Sequence, residues 1–356
     1  MSLEVICEFG QSHHGDLATA IDQAKAAKKA GAQIAKWQIF EPERLASTDA
    51  RWYWDRSLGG HVSQLKTFAA NGMLTDTEWA KLAKACEKIG IEFCATPFDL
   101  EAVDLLEDIG VRSYKIASGD ITYKQLIERI ALTGKRAFLS TGASTLSEVE
   151  HAIGWWEFAS ADRRNTGRGG PRKPAGELIL MACDLAYPTK HPELGKIRWL
   201  ADYNRKVGYS DHTLGTETGR LAAQAGATVL EKHCTLDKDG QVPDDKMALT
   251  MTQMRRYIEV ARQGYKDGPD FALLGDHELP AREGARRSIY AKHDIAAGQA
   301  LTENDMLFLR PCPFGALQPA DAANIAGCVL TVPIKAGERV TLNHLAARAD
   351  TELIAA

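Results

Sequence analysis

The chain reads as a closed (β/α)8 barrel of TIM type followed by a small β-rich domain, and three observations lead there. Short apolar runs alternate with longer amphipathic ones from residue 4 to about 265. The apolar runs number eight, the count that closes such a barrel. Beyond residue 285 the alternation stops, and short β-like runs with turn residues and paired ions replace it.

The predicted strands are VICEF (5–9), QIAKWQ (33–38), EFCAT (92–96), SYKIAS (113–118), RAFLST (136–141), LILMAC (178–183), KVGYSD (206–211) and TVLEKHC (228–234). Their nearly unbroken apolar character fits parallel strands covered on both faces. Between them lie helical patterns such as DLATAIDQAKAAKKAG, DTEWAKLAKACEKIG, LEAVDLLEDIG and TYKQLIERIALTGK. Several end in glycine after the last turn, as helix C-termini often do.

Two segments depart from the repeat. RRNTGRGGPRKPAG (163–176), rich in Gly, Pro, Arg and Lys, predicts an exposed loop between the fifth helix and the sixth strand. DARWYWDRSLGGHVSQL (49–65) interrupts the second β/α unit, and its aromatic residues predict a lid or packed insertion near the top of the barrel. In the tail, DIAAGQALTENDM and PIKAGERVTLNHL repeat one turn-and-strand theme. The expected division is a barrel at 1–275, a linker at 276–285, a second domain at 286–348 and a tail at 349–356.

Composition narrows the class. With 45% hydrophobic and 25% charged residues, the chain is ordinary for a globular protein. A net charge of −4 gives no general attraction for nucleic acid or an anionic membrane. The cysteines number seven, an odd count without a CxxC pair, which predicts reduced thiols and a cytoplasmic protein. The N-terminus lacks a basic region followed by an apolar one, so no secretion signal is expected. No apolar run approaches the roughly 18 residues that span a bilayer.

In a β/α barrel the chemistry sits at the C-terminal ends of the strands. Lys36, Thr96, Lys115, Ser118, Ser140 and Ser210 fall there, supplying two point charges and short hydroxyl donors suited to a phosphate monoester. The alternative is that the lysines pair with Glu8 or Asp120 and the hydroxyls cap helices. His212 and His233 follow the seventh and eighth strands, which lie about 5 Å apart in a sheet. Two such imidazoles can share a divalent ion with open positions left over, and Mn²⁺, Zn²⁺ or Fe²⁺ would each fit. Glu8, Asp120 and Asp244 are the carboxylates placed for proton transfer or for sugar hydroxyls; a solvated surface acid is the alternative for Asp244.

These residues, in this order, resemble the N-acetylneuraminate (sialic acid) synthase family, which includes legionaminate and pseudaminate synthases. The matching stretches include CEFGQSHHGD, ATPFDLEAVDLLEDIGV, YKIASGDITY, FLSTGASTLSEVE, VGYSDHTLG and ATVLEKHCTLDKDGQVPDDK, and the tail is similar to the family's antifreeze-protein-like (SAF) domain. The resemblance implies condensation of phosphoenolpyruvate with an open-chain amino sugar, N-acetylmannosamine or a relative, giving a 2-keto-3-deoxy (nonulosonic) acid. It implies a divalent metal on His212 and His233, Mn²⁺ foremost, with Mg²⁺, Co²⁺ or Zn²⁺ as alternatives. Phosphoenolpyruvate would be held by Lys36, Thr96, Lys115, Ser118, Ser140 and Ser210, with Lys115 also catalytic. Glu8, Tyr187 and Asp244 would address the acceptor sugar or a proton, and Asp120, from its place at a strand end, is a further candidate for binding substrate. Arg310 would reach the sugar in a partner's barrel, since members of the family form dimers with exchanged tail domains.

The chain departs from the family's pattern in several places. Ser12 stands where an Asn is usual, Leu185 replaces an Asn expected to face the phosphate, and Asp184 lies beside it. Pro311 is followed by Cys312, Pro313 and Phe314 instead of a Gly-rich turn, and residues 49–72 offer no clear counterpart to an expected Asn. Three other readings stay open: the same chemistry on a different aldose, a Schiff-base pyruvate aldolase using Lys115, and a non-catalytic sugar-binding protein.

Overall fold

In the computed structural model, residues 3–51, 63–162, 176–240, 242–267, 283–313 and 315–346 are described. The chain divides into two compact units, Met1–Asp270 and Phe271–Ala356. The loop expected at 163–176, all but its last residue, lies outside the described residues, as do most of the aromatic insertion, most of the linker and the tail.

In the first unit, eight parallel strands form the barrel. They are β1 (Glu4–Glu8), β2 (Ile34–Ile39), β3 (Glu92–Pro97), β4 (Ser113–Ile116), β5 (Arg136–Ser140), β6 (Leu178–Cys183), β7 (Val207–Asp211) and β8 (Val229–Thr235). Each pairs with the next, and β8 returns to β1 with Glu4 opposite Val229 and Glu8 opposite His233, closing the ring. A two-residue strand β9 (Leu249–Thr250) adds to the end of β8. Expected and observed strand ends agree to within one residue. The exception is β4, which stops at Ile116 because Ser118–Asp120 turns into a 3₁₀ helix.

The barrel helices are α1 (Leu17–Ala30), α2 (Asp76–Ile89), α3 (Leu100–Ile109), α4 (Lys124–Thr133), α5 (Leu146–Asp162), α6 (Gly195–Ala201), α7 (Glu217–Gln224) and α8 (Met251–Asp267). Local chemistry sets their limits. Thr75 and Glu78 form a capping box at the start of α2, and Gly90 ends it in the left-handed conformation at φ 76°. The faces of α1, α2, α4 and α8 that carry Ala24, Leu82, Ile127 and Ile258 pack onto the outside of the sheet in one continuous core. Trp37, Trp79 and Trp156 are fully buried, and each such side chain contributes on the order of 2–3 kcal/mol by burial.

Inside the ring, Ile6, Ile34, Cys94, Phe138, Ile179, Met181 and Val229 form a separate apolar plug. Gly208 on β7 makes room for it, since a Cβ there would lie 2.3 Å from Met181 Sδ. The plug gives the mouth above it a dry floor. Below it, at the N-terminal end of the strands, a cavity of about 780 Å³ is lined by Arg136, Lys206 and Arg262. Those cations already have partners: Arg136 pairs with Glu4 and Glu92, Lys206 with Glu177, and Arg262 donates to the Gly31 carbonyl. Conserving structure is the usual role of that face.

The second unit pairs β10 (Ser288–Ala291) with β11 (Met306–Leu309) in antiparallel fashion. Its core gathers Ile289, Leu301, Ile325, Leu330, Ile334 and Val340. The repeat seen in the sequence has a structural counterpart. Ile295 and Ile334 bridge each other, and Thr302 and Thr341 open matching capping boxes with Asp305 and His344. All cysteines are free thiols, and only Cys328 is not buried. Among the described residues no helix is long and apolar enough to cross a membrane.

Candidate active site

Side chains alternate along a strand, and that alternation builds the site. On β8 it sends Glu231 and His233 into the mouth and Lys232 out to the helices. On β7 it sends Ser210 inward, with His212 just beyond the strand's end. From β1, β2 and β4, Glu8, Lys36 and Lys115 enter the same space. All of these groups are buried.

One side of the mouth is a chain of alternating charge. Lys36 Nζ lies 2.5 Å from Glu8 Oε2 and 3.6 Å from Glu231 Oε1. Lys115 Nζ lies 3.9 Å from Glu231 Oε2 and donates to Ser140 Oγ at 2.5 Å. Gln38 donates to the other oxygen of Glu8 at 3.1 Å, and Ser210 Oγ donates to Glu231 at 3.5 Å. The Gly142 N–H donates to Ser118 Oγ at 3.0 Å. Thr96 is buried at the end of β3, opposite Gln38 in register. The expected pairing of a lysine with Glu8 is therefore real, but it uses one lysine only. Among the described residues Lys115 has one carboxylate within 4 Å, Glu231.

Burial and these partners set the protonation balance. Burial would lower Lys36, but Glu231 and Glu8 outweigh it and hold the ammonium above its ordinary value. Lys115 is lowered, because its burial is only partly offset by Glu231. Glu231 is held down by Lys115 and Lys36 against the upward push of burial. Glu8 is raised, chiefly by burial, despite Lys36. An arriving phosphate would complete the compensation that Lys115 lacks.

The other side holds two imidazoles, with ring centroids of His212 and His233 5.6 Å apart. Tyr187 packs against both, at 4.0 Å from His212 and 6.1 Å from His233. His212 Nδ1 donates to the Asp184 carbonyl at 2.9 Å, which leaves the lone pair on Nε2. That is the orientation a metal-ligating imidazole takes. His233 is pushed well below its ordinary value by burial and then by His212, so it is a neutral donor. Its Nδ1 is buried without a hydrogen-bond partner, 3.7 Å from Asp244 Oδ2. Burial disfavours a proton on His212, yet Cys183 at 3.7 Å, the Asp184 carbonyl and Glu231 together outweigh it and raise the group. A cation on Nε2 would meet the same demand as that proton. The donor set therefore fits a divalent ion bound by two imidazoles, with its other positions open. Among the described residues no group of three or more His, Cys, Asp or Glu is arranged to hold a metal.

The remaining carboxylates are not solvated. Asp244, in the short helix Pro243–Met247, is buried and raised to about 7 by burial, with Glu8 adding to the effect. Asp120 is raised to about 7 by burial, and one of its oxygens is buried without a partner. Ser12 at the family's Asn position donates to Asp245 at 2.5 Å, and Thr235 donates to the same oxygen at 2.7 Å. The loop after β1 is thereby fastened to the loop after β8. Arg310 is exposed and follows β11 in the second unit.

Three participants were missed in the sequence. Glu231 stands two residues before His233, so the period of a strand would have found it. Cys183 and Gly142 carry no polar signal. A Cβ on Gly142 would come 2.8 Å from Ser118 Oγ and 3.1 Å from Cys183 Sγ, so its absence keeps that corner open.

Residues 23–267 match the NeuB family and residues 286–346 the SAF domain. An uncharacterized protein of Methanocaldococcus jannaschii is 34% identical over 86% of this chain and 84% of its own length. An N,N'-diacetyllegionaminic acid synthase of Legionella pneumophila is 31% identical over 98% of this chain and 96% of its own. Among solved structures, an N-acetylneuraminic acid (sialic acid) synthetase of Leptospira borgpetersenii superposes with a TM-score of 0.64 at 27% identity, covering 79% of this chain and 90% of that one. By its barrel sequence, its closed barrel and its C-terminal domain, the chain belongs to the NeuB family.

Proposed function

We propose that this protein condenses phosphoenolpyruvate with the open-chain aldehyde of an amino sugar, releasing phosphate and a 2-keto-3-deoxy acid. The observation that carries the reading is the convergence of Lys36 and Lys115 on Glu231 beside the His212–His233 pair. The legionaminic acid synthase matched over nearly the whole chain supports the same reaction class. The reaction would run in the cytoplasm, where the free thiols stay reduced.

Lys36 and Lys115 hold the phosphate, with Ser118, Ser140, Ser210 and Thr96 as neutral donors. Bound at His212 and His233, a divalent ion, Mn²⁺ foremost, would supply Lewis-acid polarisation of the acceptor's carbonyl. Tyr187, Asp120 and Asp244 orient the acceptor so that its aldehyde carbon faces C3 of phosphoenolpyruvate. The new bond joins those two carbons with the C2–C3 π pair of phosphoenolpyruvate, while the aldehyde's C=O π bond opens, its oxygen takes up a proton and C2 is left electron-poor. Water adds to C2, and its proton passes to Glu8, which burial raises above its ordinary value. The bond between C2 and the bridging oxygen then breaks as the C2 hydroxyl gives up its proton to the departing phosphate and becomes the keto group, and Lys36 and Lys115 stabilise the charge on that phosphate. Arg310 completes the acceptor site from a partner subunit in a homodimer with exchanged tail domains; this rests on the resemblance. Mixing Arg310→Ala with Lys36→Met protein should restore part of the activity if the domains are exchanged.

The test is phosphate release from phosphoenolpyruvate with a panel of acceptors: N-acetylmannosamine, 2,4-diacetamido-2,4,6-trideoxyhexoses and plain aldoses. Release with one acceptor, abolished by EDTA and by His212→Ala, is expected. Silence with every acceptor in a protein that binds Mn²⁺ would sink the proposal. A second reading, a Schiff-base aldolase, draws on the lowered Lys115 amine. Borohydride with pyruvate should leave Lys115 unmodified; trapping there would favour the aldolase.

A further inference from the structure

The outer face of the β7–β8 end carries charge where a barrel wall ordinarily carries aliphatic side chains. The alternation that aims Ser210 and His233 at the mouth turns Asp211 and Lys232 toward the helices. They are partners in register across the two strands, and Lys232 Nζ lies 3.1 Å from Asp211 Oδ1. Both are only 1% exposed. Lys232 also donates to the carbonyl of Thr213 and, at 3.3 Å, to its hydroxyl. The N–H and hydroxyl of Thr213 donate to Asp211 Oδ1 at 2.9 and 2.7 Å. The ring of Tyr257 on α8 closes over Lys232 Nζ at 5.6 Å. Gly219 on α7 admits that ring, since a Cβ there would lie 2.6 Å from it.

Such a pair gains little stability, because desolvating both charges offsets most of their attraction. What it fixes is position. Asp211 and Thr213 flank His212, and Lys232 precedes His233. One network therefore grips the backbone on both sides of one imidazole and beside the other. The Thr189 N–H ties down the His212 carbonyl as well, at 3.0 Å. Neither strand end can slide or twist without breaking a buried contact.

We propose that the Asp211–Lys232 pair is a positioning device that sets the spacing of His212 and His233, and through it the affinity of the divalent-ion site. The inference rests on the two-histidine reading above. Because the pair is neutral overall, replacing both members leaves the net charge near the site unchanged, and any loss of affinity reports geometry.

The experiment measures Mn²⁺ binding to metal-free full-length protein by the EPR signal of free Mn²⁺. The parent is compared with Asp211→Leu/Lys232→Met, alongside thermal unfolding without metal. The expected result is a Kd raised at least about tenfold while the metal-free midpoint holds or rises, as apolar replacements of buried pairs often allow. Asp211→Asn/Lys232→Gln keeps the volume and polarity; it is read at the same threshold if the first variant does not fold. A Kd within about twofold of the parent in a folded variant overturns the inference. A parent that binds no Mn²⁺ overturns the two-histidine reading and this inference with it, which is a distinct outcome.

Discussion

Asp184 Oδ1 lies 2.5 Å from Lys196 Nζ, and Asp184 Oδ2 accepts the Glu193 N–H at 2.9 Å. Both carboxylate oxygens are thus engaged at the start of α6, on the opposite side of the chain from Cys183, which faces His212. A negative group beside the proposed phosphate position is thus turned outward and paired with Lys196.

This arrangement separates two neighbouring substitutions. Asp184→Asn should leave the KM for phosphoenolpyruvate within about twofold. Leu185→Asn, which offers a charge-assisted amide donor, should lower that KM about tenfold. Steady-state kinetics decide it: a KM raised by Asp184→Asn and unmoved by Leu185→Asn would reverse the assignment.

Glu231 is the shared counterion of two buried lysines, so Glu231→Gln leaves both undercompensated. Breaking such a pair destabilises by about 3 kcal/mol, a drop of roughly 6–12 °C in the unfolding midpoint of a domain this size. Phosphoenolpyruvate or inorganic phosphate should raise the midpoint more in the variant than in the parent, because the ligand restores the missing negative charge. Calorimetry with and without phosphate measures both effects, and equal ligand shifts would contradict the account.

Asp120 makes stability depend on pH in a stated direction. Its carboxyl stands at about 7 in the folded protein against 3.8 when unperturbed. Between those values the unfolded chain has lost the proton and the folded one keeps it. Asp120 therefore favours the folded state least at high pH: stability falls as pH rises from about 4 to about 7. Urea midpoints of Asp120→Asn should decline less over that window than the parent's, and parallel curves would rule the effect out.

Gly142 is tested by adding one methyl group. The Cβ of Gly142→Ala would press on Ser118 Oγ, Cys183 Sγ and Leu185 Cβ, at 2.8, 3.1 and 3.2 Å. Overpacking of this kind costs about 1–3 kcal/mol, and here it falls on Ser118, a proposed phosphate donor. The KM for phosphoenolpyruvate should rise about tenfold or more while Mn²⁺ affinity stays near the parent's. Loss of metal binding instead would show that the corner supports His212 rather than the phosphate.

The barrel was legible because each strand announces itself as an apolar run and each crossover helix by its period and its glycine stop. Lys36, Lys115, His212 and His233 were legible because polar groups at the ends of apolar strands are conspicuous. Glu231 was not, since it lies inside the run that marks β8 and its lysine partners come from distant strands. The outward turn of Asp184 depends on Lys196, which nothing in the sequence marks as its partner. Asp211 and Lys232 read simply as neighbours of the histidines, because burial of a charge outside the barrel is decided by helix packing.

The closing seam between β1 and β8 has a consequence for synthesis. The outer edge of β1 has no partner until residues 229–235 leave the ribosome. At about 5–20 residues per second that wait is roughly 10–45 s, with an apolar edge open to other chains. Lys36 crosses this interval with part of its charge answered, since Glu8 comes from the adjacent strand and only Glu231 is still to come. Lys115 does not, because its carboxylate arrives only with β8. The nascent barrel therefore carries one lysine of the proposed anion site already paired with a carboxylate, and a second whose carboxylate comes only with the last strand to arrive.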